Sequence, residues 1–84
     1  MKNKYMVEVY LPAAGYSYEM RLPRQIKVAK ATQMIIDFIR LRDEGEYVPG
    51  DDAKLYDMSS GMLYDWNAFV DKAGISEGTR MMLV

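Results

Sequence analysis

The sequence predicts an α+β domain of order ββαβ(β)–short helix–β, and three observations carry the prediction. Two runs near the start alternate polar and apolar residues with a period of two, the middle of the chain switches to the 3.6-residue period of an amphipathic helix, and the last third returns to short β-prone runs cut by Gly turns. With 84 residues, 50% of them hydrophobic and 27% charged, there is material for one core and no length for another. Residues 1–84 are therefore read as a single domain.

The first run, Lys4 to Leu11, puts Tyr5, Val7, Val9 and Leu11 on one side and Lys4, Met6, Glu8 and Tyr10 on the other. Pro12-Ala13-Ala14-Gly15 follows, and Tyr16, Tyr18, Met20 and Leu22 then alternate with Ser17, Glu19 and Arg21, so the pair reads as an antiparallel hairpin. Pro23 closes the second strand, because it has no N–H to give a ladder. From Val28 the apolar residues Val28, Ala31, Ile35, Phe38 and Ile39 share one helical face, opposite Lys30, Gln33, Asp37, Arg40 and Glu44. This helix should run from about Val28 to Glu44 and end near Gly45, although Arg24 to Lys27 offer no side-chain cap for its start.

Glu46 to Asp52 reads as a loop. Ala53 to Met58 reads as a third strand, Ser59-Ser60-Gly61 as a turn into Met62-Leu63-Tyr64, and Thr79 to Val84 as the closing strand. Between them, Asp65 is placed to cap a brief helical turn over Trp66 to Val70, which Gly74 ends.

Charge and composition remove most chemistry. Eleven Lys and Arg against twelve Asp and Glu give a net charge of -1 with no long run of one sign, so nucleic-acid binding lacks its electrostatic footprint. Zero Cys and zero His exclude disulfides, thiolate nucleophiles, Cys/His zinc sites and imidazole catalysis. Asp51, Asp52 and Asp57 lack the spacing of a calcium loop, and Ser59 and Ser60 have no base beside them, so no metal, no cofactor, no catalytic residue and no small-molecule substrate is expected. With no apolar signal core and no spanning segment, neither membrane insertion nor export is expected, and the chain is read as cytoplasmic.

The stretch from Leu55 to Met81 resembles the second half of ubiquitin-like β-grasp domains, with Leu63, Val70, Gly74, Ile75, Gly78 and Thr79 at matching places, and the resemblance extends over roughly Lys4 to Val84. It implies a mixed four- to five-stranded sheet covered on one face by one helix, with the last strand between the first and the third. Among bacterial forms the chain looks most like the YukD/EsaB type, accessory proteins of type VII (WXG100) secretion. Ubiquitin and the sulfur carriers end in Gly-Gly, whereas this sequence ends Met81-Met82-Leu83-Val84. The resemblance thus implies a non-enzymatic interaction module rather than a carrier or modifier. A small structural or regulatory subunit of a multicomponent enzyme is the alternative.

In that topology the outward residues of three neighbouring strands form one surface. Tyr56, Met82 and Val84, with Met6 and Tyr10, are the expected contact patch for a protein partner or for self-association through the outer sheet face. Met34 and Leu41, which widen the apolar arc of the helix, are a secondary candidate, unless they pack under the loop around Tyr47 and Val48.

Overall fold

The computed structural model describes residues 3–42 and 49–84. Strands β1 (Lys4–Leu11) and β2 (Tyr16–Pro23) form the expected antiparallel hairpin, in register from Lys4 opposite Pro23 to Leu11 opposite Tyr16. The turn closes where Gly15 N–H donates to the Leu11 carbonyl at 2.9 Å, and Gly15 takes φ +70°, a conformation that a Cβ would penalise. Helix α1 (Val28–Arg42) begins where its periodicity begins. Its expected last residues, Asp43 and Glu44, and its expected terminator Gly45 lie outside the described residues, as do Tyr47 and Val48.

The capping that the sequence of α1 lacks is supplied from far along the chain. Val28 N–H donates to the Ala68 carbonyl at 2.9 Å and Ala29 N–H to the Trp66 carbonyl at 3.1 Å, which satisfies two of the first-turn donors. Thr32, fully buried, turns its hydroxyl back onto the Val28 carbonyl at 2.8 Å, so its one polar group in the core is satisfied.

This tertiary cap displaces the short helix. Asp65 does accept from Asn67 N–H at 3.0 Å, but the chain makes only a turn there, and the helical segment is a 3-10 helix at Val70–Lys72 instead of Trp66 to Val70. The carbonyls of Trp66 and Ala68 are committed to α1, so residues 66–68 cannot wind into a helix of their own. Val70, at the start of the displaced turn, is buried in the core.

Strands β3 (Leu55–Asp57) and β4 (Arg80–Leu83) complete a four-stranded sheet of order β2-β1-β4-β3. β4 lies parallel to β1 and antiparallel to β3, so the sheet is mixed and its last strand sits between the first and the third. The third strand is shorter than the expected Ala53 to Met58, although Lys54 and Val84 exchange backbone hydrogen bonds beyond its end at 2.8 and 2.9 Å. Met62 to Tyr64 adds no fifth strand and contributes only an isolated bridge from Leu63 to Tyr56.

One face of the sheet meets α1. Val28, Ile35 and Ile39 pack with Val7, Val9, Leu55, Met81 and Leu83 in a single buried cluster. Each large side chain removed from water here contributes on the order of 1.5–3 kcal/mol. The inward phase fades toward the hairpin: Tyr5 and Tyr18 are half-buried, and Tyr16, on the same phase, is exposed. Tyr16 sits at the end of β2 beside the turn, where its ring lies tilted against Tyr18 at 6.4 Å between centroids rather than entering the core.

Candidate functional site

The alternation that buries Leu55, Met81 and Leu83 turns Tyr56, Met82 and Val84 to the opposite face. Register then decides which of these residues meet. Tyr10 stands opposite Met82 across the parallel pair, and Tyr56 stands opposite Met82 across the antiparallel one, so Tyr10, Met82 and Tyr56 form one row across three strands. All three are half-buried, whereas Val84, next to the row and paired with Lys54, is 63% exposed.

Met6 is not part of this group. The next outer row toward it is polar, with Glu8 opposite Arg80 and their side chains 3.6 Å apart. Met6 is four residues from Tyr10 along β1, about 13 Å at the rise of a strand. Its backbone is tied down there, its carbonyl accepting from Gly78 N–H at 2.7 Å and its N–H donating to the Glu77 carboxylate at 3.1 Å. The expected patch thus divides into a Tyr10–Met82–Tyr56 row with Val84 beside it and a separate Met6 behind an ion pair.

The row's β3 end is fixed by a polar hub. Asp57 accepts hydrogen bonds from the Ser59 hydroxyl (2.8 Å), the Ser60 N–H and hydroxyl (3.0 and 2.8 Å) and the Tyr64 hydroxyl (3.1 Å). Ser59 and Ser60 are therefore turn residues, as their sequence context implies. The Ser60 and Ser59 hydroxyls favour the charged carboxylate and pull the Asp57 pKa down to about 2, against a partial loss of solvation. Burial, reinforced by the Asp57 carboxylate, pushes the Tyr64 hydroxyl above the usual phenol range. Beside this hub lies a shallow depression of about 560 Å³ lined by Leu63, Tyr64, Ala73, Thr79 and Arg80.

A group whose folded pKa is depressed stabilises the fold above its unfolded value and loses that contribution as pH falls through the folded value. Asp57 should therefore support stability fully above about pH 4 and release it as pH falls toward about 2. In thermal melts the wild type is expected to be more stable than Asp57→Asn at neutral pH, with the two curves converging across that acid window. A gap that persisted at pH 2 would assign the difference to something other than the ionised carboxylate.

Other exposed apolar side chains escaped the sequence reading. Met62 and Leu63 stand out from the turn after β3, Phe69 is exposed ahead of the 3-10 helix, and Lys54 Nζ lies 4.4 Å over the ring of Trp66. These residues sit in irregular backbone, where neither periodicity assigns a face, and nearby Gly and Asp turn residues were the only available signal. Of the secondary candidates, Leu41 is 83% exposed and Met34 is also exposed. Asp51 receives Arg40 at 3.0 Å, and no cluster that could hold a metal ion occurs among the described residues.

No family model matches the chain, and no curated protein matches it by sequence. Similarity lies in shape. The EccD5 ubiquitin-like domain from Mycobacterium xenopi superposes with a TM-score of 0.80 at 15% identity, over 99% of this chain and 94% of that one. A chain of the MycP5-free ESX-5 inner membrane complex gives 0.81 at 17% identity over 99% of this chain, which spans only 21% of that chain's length. A ubiquitin from Caldiarchaeum subterraneum gives 0.71 at 12% identity, covering 95% and 90% of the two chains. The fold is thus a ubiquitin-like β-grasp. No helix among the described residues is long and apolar enough to cross a membrane.

Proposed function

We propose that the chain is a non-enzymatic ubiquitin-like interaction module of a type VII (WXG100) secretion apparatus, acting in the cytosol as an accessory protein of the YukD/EsaB kind. The observation that carries this reading is the reciprocal match to the EccD5 ubiquitin-like domain, which accounts for 99% of this chain and 94% of that domain. The surface available for such a role is the Tyr10–Met82–Tyr56 row with Val84, apolar groups rimmed by Lys54 and by the Glu8–Arg80 pair.

Two measurements in the source cell test the proposal. A tagged copy should co-purify with the membrane core of the secretion apparatus, and deletion of the gene should stop export of WXG100 substrates without lowering their synthesis. Unaltered export together with no co-purification would overturn the assignment. Stoichiometric co-purification with the catalytic chain of an unrelated enzyme would replace it with the enzyme-subunit alternative.

A further inference from the structure

Strand β2 is one of the two edges of the sheet, and its free side can be read from the hydrogen-bond phase of the hairpin. Gly78 N–H donates to the Met6 carbonyl and Glu8 N–H to the Thr79 carbonyl, so the even-numbered residues of β1 aim their backbone at β4. The odd-numbered ones face β2, a phase that continues where Arg24 N–H donates to the Asn3 carbonyl at 3.1 Å. With Val9 opposite Tyr18 and Val7 opposite Met20, the even-numbered residues of β2 answer them. Ser17, Glu19 and Arg21 therefore aim their N–H and C=O groups outward, and among the described residues no strand pairs with them. Pro23, which has no N–H, falls in the same phase at the end of the row.

The side chains along this edge are unbalanced in a specific way. Glu19 stands opposite Glu8, a like-charge pair, while Glu8 has Arg80 on its other side. Neither Glu19 nor Arg21 has an ion-pair partner among the described residues. The row thus runs cation, anion, anion, edge, and the missing member is a cation.

The neighbouring face of α1 is only partly covered, with the Arg42 guanidinium lying 3.7 Å over the Phe38 ring. Phe38 meets Tyr18 edge-on at 6.4 Å, which turns that side of the helix toward β2. Met34 and Leu41, four residues before and three after Phe38, share that side and are both exposed.

We propose that this edge is a homodimer interface in which two copies of the chain pair antiparallel through β2, with Glu19 of each copy opposite Arg21 of the other. The two-fold axis then passes at Met20, and the residues with outward backbone groups fall opposite one another, as a ladder requires. Shifting the pairing by one step to place Glu19 opposite Glu19 would set like charges face to face. In the proposed register the outer row becomes Arg80, Glu8, Glu19 and a second-copy Arg21, and both cations and anions are matched. The Met34, Phe38 and Leu41 stripes of the two helices approach from the two sides of the axis, which gives the exposed Leu41 a cover.

Sedimentation equilibrium over a wide concentration range tests the pairing. The wild type should rise toward twice the monomer mass. Glu19→Arg and Arg21→Glu, each alone, turn both cross-strand pairs repulsive and should lower self-association by on the order of tenfold or more. Glu19→Arg should keep or raise the melting temperature, because it removes a like charge opposite Glu8, so loss of dimer cannot be ascribed to misfolding. An equimolar mixture of the two single variants restores attraction at both pairs and should recover the dimer. A wild type that stays monomeric throughout overturns the proposal and leaves a solvated, charge-protected edge. A dimer indifferent to both reversals, or a mixture that stays monomeric when wild type dimerises, overturns it equally.

Discussion

Ile35→Asp is expected to leave the chain unfolded at neutral pH. Ile35 has no solvent exposure and lies at the centre of the α1 face that meets the sheet, within the cluster that includes Val7, Val9, Leu55 and Leu83. A carboxylate there loses the apolar contact of the isoleucine and must either stay charged without a partner or take up a proton. Either route costs about 4–5 kcal/mol or more, which is comparable to the whole stability of a domain this small. Far-ultraviolet circular dichroism and thermal melting should show no cooperative transition. A cooperative melt near that of the wild type would mean that α1 presents another face to the sheet.

Tyr56→Ala should have the largest effect on partner capture. Tyr56 is the aromatic end of the Tyr10–Met82–Tyr56 row, on the outward phase of β3, and binding energy concentrates in a few such aromatic anchors. Under the proposed function, its removal is expected to weaken binding to the partner that co-purifies with the chain by about 2 kcal/mol, roughly 30-fold in Kd, with little change in folding. Met82→Glu, which puts a charge in the middle of the row, should weaken it comparably. Isothermal titration with the purified partner domain measures both, and unchanged affinity in both variants would move the contact surface to Met34 and Leu41. Because Met6 lies beyond the Glu8–Arg80 pair, Met6→Ala is expected to have a smaller effect than either.

The parts of this structure that could be read from sequence are those in which local chemistry and tertiary need agree. The alternation of Tyr5, Val7, Val9 and Leu11 predicts β1 to the residue, and Pro23 marks the end of β2 because a residue without an N–H suits the end of an edge strand. The start of α1 at Val28 follows from its apolar period even without a cap. What cannot be read locally is the source of that cap. The carbonyls of Trp66 and Ala68 are some forty residues away, and their engagement moves the short helix from its position after Asp65 to Val70–Lys72. Long-range backbone bonds of this type leave no mark in residue identity, since any carbonyl accepts equally well.

The outward face of the sheet shows the same division. Strand phase is enough to send Tyr56, Met82 and Val84 outward, because inward placement of Leu55, Met81 and Leu83 leaves no other choice. Phase says nothing about how far one strand slides along its neighbour. Only the register, Tyr10 and Tyr56 both opposite Met82, separates Met6 from the row it was expected to flank.

The parallel pairing of β1 with β4 has a kinetic consequence. Hairpin β1–β2 and helix α1 are built from near neighbours in sequence, but Tyr10 and Met82 must find each other across some seventy intervening residues. During synthesis the hairpin and helix can form as soon as they emerge, while the central slot of the sheet stays empty until Arg80 to Leu83 are made. In that interval β1 carries an unpaired edge, β3 lacks the strand it pairs with, and the apolar underside of α1 has only part of its floor. The strand that completes the core is thus the one translated last of the four, so the nascent chain gains most of its cooperativity in a single late step. Its exposure to misassociation on the way is set by how quickly those four residues pair with β1 and bring β3 into the sheet.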